Sequence, residues 1–260
     1  MRLIILGSCS GTQPFPGRHH TSFIIEHRGK LYWFDAGETC SYTAHCMGLD
    51  LLKSSKIVIS HTHMDHIGGL GNLLWTVRKL NGISGDFSGK RLDIYIPQVE
   101  SYEAIIKMLQ STQGNFSADF ELEAHEIKNG LLFEEDSFKV TALHNRHIQN
   151  EPSPEGKWFS FGFLIEAQGK RIVYSGDTKG LEDFMPLLSP KVDILLMESG
   201  HHHPVDFAKE LKESPLAPEK LFFIHHGRRI LDDYDNMLSG LQDLWGDRVR
   251  ILDDKDIIDL

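Results

Sequence analysis

The segment His61-Thr62-His63-Met64-Asp65-His66 constrains this chain more than any other. It follows the apolar run Ile57-Val58-Ile59-Ser60, which reads as a strand, and it precedes Gly68-Gly69 and a helical pattern. Side chains two apart on an extended chain point the same way, so His61 and His63 can grip one ion. Asp65 and His66 turn back from the following loop to face a second ion nearby. The two glycines let the next helix start close against the site. Imidazole nitrogens with a few carboxylates suit Zn²⁺, with Mn and Fe as alternatives.

One short cluster cannot close the coordination spheres of two ions, so further ligands must come from elsewhere. Three strand-like segments end in candidates. Arg171-Ile172-Val173-Tyr174-Ser175-Gly176 leads into Asp177, whose two oxygens can bridge a pair of ions. Leu221-Phe222-Phe223-Ile224 leads into His225 and His226. Phe138-Lys139-Val140-Thr141-Ala142-Leu143 leads into His144 and, three residues on, His147. Ten of the 15 histidines fall in residues 61–66, 144–147, 201–203 and 225–226. Metal sites require such clustering and ordinary surface histidines do not.

Strand-like runs recur at 3–6, 22–26, 31–35, 57–60, 92–96, 138–142, 161–166, 171–175, 194–197, 221–224 and 249–252. Helical periodicity covers 42–47, 69–80, 102–110, 206–213 and 232–244. Gly29-Lys30 and Gln168-Gly169-Lys170 read as hairpin turns. Many strands with fewer helices between them give an α/β architecture. The stretch 150–156 reads as a surface loop, too short for a linker, so residues 1–260 read as a single domain.

The order HxHxDH, a lone His, SGDT, then a strand-terminal His resembles the metallo-β-lactamase fold hydrolases. The resemblance runs nearly end to end and implies a four-layer αββα sandwich. The N-terminal part is most similar to the ribonuclease Z branch, the tRNA 3′-processing endonucleases. Leu6-Gly7-Ser8 leads to Pro14, Pro16 and Arg18, and Phe34-Asp35-Ala36-Gly37-Glu38-Thr39 resembles the DCGEGT segment of that branch. By this resemblance His61, His63 and His147 hold the first metal, with His144 as the alternative to His147. Asp65, His66 and His225 hold the second, and Asp177 bridges them. Asp65 would also take the proton of a metal-bridging hydroxide. In this branch an acidic residue at a strand end and a histidine before the next helix assist the leaving oxygen. Glu198 and His202 match that pair, with His203 as the near alternative to His202. Arg229 matches the arginine that meets a substrate phosphate.

The resemblance therefore implies a dinuclear phosphodiesterase of ribonuclease Z type, in a branch that tends to form homodimers. Two features pull away from a large RNA substrate. Acidic residues outnumber Lys and Arg by 37 to 27, a net charge of −10. That balance excludes holding nucleic acid by bulk charge. The branch also carries a long arm between the landmarks matching His147 and Asp177, an interval that here reads as a loop and two strands. A same-fold hydrolase of a small ester, lactone, thioester or cyclic nucleotide is the alternative, and a non-hydrolytic metal-binding or redox protein the second. Three cysteines (Cys9, Cys40, Cys46) without CxxC spacing point to a reducing, cytoplasmic setting. No run approaches the length needed to cross a bilayer, so no membrane partner is expected.

Overall fold

The computed structural model describes residues 1–12, 14–112 and 116–260. In chain order the elements are β1 (Arg2–Gly7), β2 (Ser22–His27), β3 (Lys30–Phe34), α1 (Cys40–Cys46), β4 (Ser54–Val58), α2 (Met64–Ile67), α3 (Leu70–Ser84), β5 (Arg91–Ile96), α4 (Val99–Thr112) and β6 (Glu121–Glu126). There follow β7 (Gly130–Glu135), β8 (Phe138–His144), β9 (Phe161–Ala167), β10 (Lys170–Tyr174), β11 (Ile194–Ser199), α5 (Pro204–Glu213), β12 (Lys220–His226), α6 (Arg228–Asp232), α7 (Tyr234–Trp245), β13 (Val249–Ile251) and β14 (Ile257–Asp259). These fall into two compact units. The first comprises residues 1–7, 19–127 and 254–260, and the second residues 8–18 and 128–253.

The first unit holds a seven-stranded mixed sheet in the order β14-β1-β2-β3-β4-β5-β6. Strands β1, β2 and β3 are near-continuous apolar runs, and Leu3, Ile4, Ile5, Phe23, Ile24, Ile25, Trp33 and Phe34 are all fully buried. Strands buried on both faces need no polar alternation. One face carries Ile4, Ile24, Trp33, Ile57 and Ile94, which pack with Leu70, Leu73, Leu74 and Val77 of α3. The i, i+3, i+4, i+7 spacing of those four residues is the apolar stripe that makes α3 a helix in this position.

The second unit holds a seven-stranded sheet in the order β13-β12-β11-β10-β9-β8-β7. Val173, Leu195, Met197, Leu221 and Phe223 of that sheet pack with Phe207, Ala208 and Leu211 of α5 and with Leu241 and Trp245 of α7. The indole N–H of Trp245 donates to the Ala208 carbonyl at 3.0 Å. That bond satisfies the one polar atom the helix pair buries with the ring.

Both sheets follow one plan. Three antiparallel pairings lead into three parallel ones, from β14 to β6 in the first unit and from β7 to β13 in the second. Three of the antiparallel pairs, β2–β3, β7–β8 and β9–β10, are joined by tight turns. Arg28-Gly29, Asp136-Ser137 and Gln168-Gly169 all have positive φ at both positions. Two-residue turns of that hand match the strand twist, and the two turns expected from Gly29 and Gly169 are among them. Asp35, His61 and Asp177 all follow the C-terminal ends of parallel-paired strands.

Three strands lie outside the sequence expectation. β6 (Glu-Leu-Glu-Ala-His-Glu) is an edge strand whose charges break the apolar signal, although its backbone pairs with β5 along its full length. Charge on an edge is the usual guard against pairing with other chains. β7 is the opposite edge of its sheet, and β14 has three residues. β4 ends at Val58, two residues short of the expected boundary, although Ile59 still donates its amide to the Tyr95 carbonyl of β5 at 2.8 Å.

Candidate metal centre

In the first unit the site grows from the ends of β3 and β4. Asp35 follows β3 in a left-handed backbone conformation, φ +58°. A non-glycine residue there is uncommon, and the turn aims its carboxylate across the strand ends. The side chain is fully buried. Oδ1 accepts the Ser60 amide at 2.6 Å, and Oδ2 accepts the Ser60 hydroxyl at 2.9 Å. Oδ2 also accepts His66 Nδ1–H at 2.8 Å. That bond assigns the tautomer, leaving Nε2 of His66 as a lone-pair donor to a ligand.

His61, fully buried, follows β4, and its Nε2 lies 3.1 Å from Nδ1 of His63. His63 caps α2, and Asp65 and His66 sit within that helix rather than on a loop. His66 Nε2 is 3.4 Å from Asp65 Oδ2, and the His61 and His66 rings are 4.0 Å apart. The expectation about the glycines holds at Gly69. A Cβ there would lie 2.2 Å from the Gly37 carbonyl, so α3 can start against the Asp35 loop only without a side chain.

In the second unit the donors leave β8, β10, β11 and β12. Asp177 follows β10 after Gly176 (φ +57°), and only 2% of its side chain is exposed. His225 lies in β12, also at φ +57°, and its Nε2 is 3.4 Å from Asp177 Oδ2. Nε2 of His147 is 3.7 Å from the same oxygen. His144 goes elsewhere: its ring stacks on Trp158 at 3.8 Å, and Asn129 bonds both its amide and its Nδ1. His226 is buried between Ser199 at Nδ1 (2.9 Å) and the Leu252 carbonyl at Nε2 (2.7 Å). Burial pushes its pKa down to about 3, so it is neutral there.

Glu198, the last residue but one of β11, is fully buried. Its Oε2 accepts the amides of Gly200 (2.7 Å) and His201 (3.0 Å), and Oε1 lies 3.1 Å from His201 Nδ1. Burial alone would raise this carboxyl, but the His201 and His225 imidazoles hold it down at about 2. The bond to Glu198 in turn raises His201 above its usual value, against burial. His201 also stands 3.8 Å from Asp177, and its ring is 4.7 Å from that of His147. His202 Nε2 donates to the Thr178 carbonyl at 2.9 Å and is 3.4 Å from Glu198. His203 caps α5 and faces Asp206 at 3.4 Å, while Arg229 lies exposed on α6.

The donor set fits divalent cations of the zinc type. Two ligand atoms on a tetrahedral zinc stand roughly 3.3 Å apart, given zinc–ligand bonds of about 2.0–2.1 Å. The pairs His61–His63 at 3.1 Å, Asp65–His66 at 3.4 Å and Asp177–His225 at 3.4 Å match that spacing. Within the second unit, ligand atoms of His147, Asp177 and His201 lie within 4.8 Å of one another, as do those of Glu198, His201 and His225.

Two residues at this centre carry no role in the sequence reading. Asp35 shows the signal that flags Asp177, an acidic residue directly after an apolar strand. His201 lies inside the histidine triplet, where counting back from the α5 start selects its neighbours instead.

A family model for the Anti-Pycsar protein Apyc1 matches residues 1–205. The chain belongs to that family. The match includes every ligand-bearing segment described above except that of His225. The sequence is also ribonuclease Z-like. Ribonuclease Z of Methanothermobacter thermautotrophicus is 32% identical over 151 residues, 56% of this chain and 45% of that protein. The chain thus spans about half the length or less of the first ribonuclease Z relatives it matches. Among solved structures, the short form of human tRNase Z aligns with a TM-score of 0.73 at 22% identity, over 100% of this chain and 99% of that one. The metallo-β-lactamase fold protein YhfI of Bacillus subtilis aligns at 0.76 and 15% identity, over 99% and 98%. The fold is therefore the metallo-β-lactamase α/β fold. No helix among the described residues is long and apolar enough to cross a membrane.

Proposed function

We propose that the protein is a metal-dependent hydrolase of phosphodiester bonds, of ribonuclease Z type, and that both units work as one domain. The observation that carries this reading is the within-unit spacing of the donor pairs, which suits tetrahedral cations on both halves of the ligand set. His61, His63 and His147 would hold one divalent cation, Asp65, His66 and His225 the other, with Asp177 shared. Zinc suits this set best, and manganese and iron are the alternatives. When bound, such a pair supplies Lewis acidity and a water made nucleophilic near neutral pH.

The chain's own residues do the rest. Asp35 and Ser60 fix the His66 ring so that Nε2 faces the site. Asp65 accepts the proton of the attacking water at its carboxylate. Glu198 stays anionic and charges a neighbouring imidazole, which hands a proton to the leaving oxygen. Motif order names His202 for that step. The 3.1 Å contact to Glu198 and the closeness to Asp177 and His147 support His201 more strongly. Arg229 would meet a non-bridging phosphate oxygen.

The substrate is a phosphodiester. RNA 3′ ends are the reading drawn from the ribonuclease Z relatives. A small phosphodiester such as a cyclic nucleotide is supported by the net charge of −10 and by residues 148–176, a loop followed by β9 and β10. Three free cysteines support a reducing compartment, the cytoplasm. The test is hydrolysis of bis-p-nitrophenyl phosphate, a precursor tRNA and a cyclic nucleotide panel with zinc or manganese, against a chelator control. Turnover that the chelator abolishes is expected, and no turnover with any metal overturns the proposal. For the proton donor, His201→Ala should slow substrates with poor leaving groups about 10²–10⁴-fold and p-nitrophenyl substrates far less. The same pattern for His202→Ala, with His201→Ala unaffected, would return the role to His202.

A further inference from the structure

Asp183 ends a 3-10 turn six residues after Asp177, and its side chain is 98% buried, with 2% exposed. Nothing in the ligand motifs includes it. Its carboxylate nevertheless holds two ligand-bearing loops of the second unit at once. Oδ1 accepts Nε–H of Arg146 at 2.6 Å, and Arg146 is the residue before His147. Oδ2 accepts the amide of Lys179 at 2.9 Å and lies 3.2 Å from the Thr178 hydroxyl, two and one residues beyond Asp177.

The same turn reaches the proton-donor side. Thr178 presents its carbonyl to His202 Nε2 at 2.9 Å, and its amide lies 3.4 Å from Glu198 Oε1. Its hydroxyl also accepts the Gly180 amide at 2.9 Å, so the loop after Asp177 closes on itself around Asp183. The second guanidinium nitrogen of Arg146 goes to Glu182 at 2.9 Å, but 83% of that carboxylate is exposed and its contribution is small. The buried contact is the strong one.

We propose that Asp183 is a positioning residue that sets the separation of His147 from Asp177 and so tunes cation affinity, a role that rests on the metal-binding reading above. Each loop has weaker fixings of its own, such as His147 N–H to Asn145 Oδ1 at 3.2 Å and Asn145 Nδ2 to the Ser175 carbonyl at 3.4 Å, and Asp183 adds the charged tie between them. His147 follows a strand by three residues, and Asp177 follows another by three, each on irregular backbone. An anionic carboxylate that bonds to both loops ties them by charge-assisted contacts, which are shorter and stronger than neutral ones. Burial on its own would raise the Asp183 carboxyl, yet the Arg146 guanidinium and the Lys179 amide hold it below the usual range. Asp183 thus acts on the residues next to the proposed ligands, one step further out than a group bonded to a ligand itself.

The test is zinc titration of the metal-stripped full chain by competition with a chromogenic chelator, on the wild type, Asp183→Asn and Glu182→Ala. Asp183→Asn keeps the shape and removes the charge, so folding is checked by circular dichroism, and Asp183→Ala serves as the harsher variant. We expect the zinc Kd to rise about 10-fold in Asp183→Asn, the low end of the loss when a direct partner of a ligand is removed, since Asp183 acts one residue further out. Glu182→Ala should stay within about twofold of wild type, as for an exposed pair. With a phosphodiester substrate, kcat of Asp183→Asn should fall at limiting zinc and recover in excess zinc while KM stays put. A residue with only a structural role would lower the folded fraction and leave Kd and the zinc rescue unchanged. Wild-type affinity in a folded Asp183→Asn overturns this proposal alone. A wild-type chain that binds no divalent cation overturns the metal reading and this proposal with it.

Discussion

Asp35 offers the sharpest perturbation of the first unit, because one buried carboxylate receives three donors: the Ser60 amide, the Ser60 hydroxyl and His66 Nδ1. Asp35→Asn preserves shape, and asparagine accepts the positive φ of this position as readily as aspartate. Its amide oxygen can keep the 2.6 Å bond from the Ser60 amide, and the Ser60 hydroxyl can rotate to accept instead of donate. His66 has no such freedom. An amide N–H₂ now faces Nδ1, so the ring must turn its lone pair inward and move its proton to Nε2, the atom a cation needs. The stability cost is that of one charge-assisted bond, about 1.5–3 kcal/mol. At roughly 2–4 °C per kcal/mol for a chain of this size, the metal-free protein should melt about 3–12 °C lower. Zinc affinity should fall about 10–100-fold, more than the melting shift alone implies. Calorimetry of the stripped protein and chelator-competition titration read the two effects separately. Asp35→Ala strands all three donors and should cost about 3–5 kcal/mol, as for a broken buried pair. If Asp35→Asn loses stability but binds zinc as the wild type does, the tautomer argument is wrong.

Two further outcomes follow from single contacts. The folded pKa of His226, about 3, lies below its unfolded value of 6.5, so the unfolded chain binds more protons. Stability is then full above about pH 6.5 and drains as pH falls toward 3, at up to about 1.4 kcal/mol per pH unit. Urea midpoints measured with chelator should drop between pH 7 and pH 5, and a slope unchanged in His226→Gln would refute the assignment. Gly69→Ala would drive a methyl into the Gly37 carbonyl and should cost about 1–3 kcal/mol by overpacking, read as a lower urea midpoint. A neutral result would mean the α3 start is free to shift.

The fold was legible where apolar runs are long. Eleven strand runs and five helical stretches stand in the chain where their patterns put them, because a buried strand or an amphipathic helix announces itself by period. Edges escaped: β6 alternates Glu121, Glu123 and His125 with smaller residues, and its strand state comes from the backbone of β5 rather than from its own side chains. The HxHxDH motif was legible for the same local reason, since strand, turn and helix start lie within a dozen residues. Glu198 and its imidazoles were only half legible. The sequence names a histidine near the start of α5, but three in a row differ by where a turn points each ring, and that depends on the Gly200 and His201 amides wrapping the Glu198 carboxylate. Asp183 was not legible at all, because nothing local marks a carboxylate whose partners, Arg146 and Thr178, belong to loops that meet only after folding.

One regularity explains why so much chemistry sits on so few motifs. Each unit runs three antiparallel pairings and then three parallel ones, and in an open α/β sheet ligands gather at the carboxyl ends of the parallel strands. Asp35 leaves β3 and Asp177 leaves β10, the strands at which each sheet turns from antiparallel to parallel. The next parallel strand supplies His61 in one unit and Glu198 in the other. The sequences of the two units show no repeat, yet an acidic residue after the switch strand is common to both, and each anchors imidazoles: Asp35 holds His66, and Asp177 faces His147 and His225. The difference lies in charge. Asp35 spends its oxygens on Ser60 and His66, whereas Asp177 is ringed by imidazoles whose nitrogens lie 3.4–3.8 Å away. If Asp177 holds a cation as proposed, exchanging Asp35 and Asp177 for Asn one at a time should cost zinc affinity by different routes, the first through the His66 tautomer and the second through a lost anionic donor, and equal pH dependence of the two losses in a chelator-competition titration would refute that distinction.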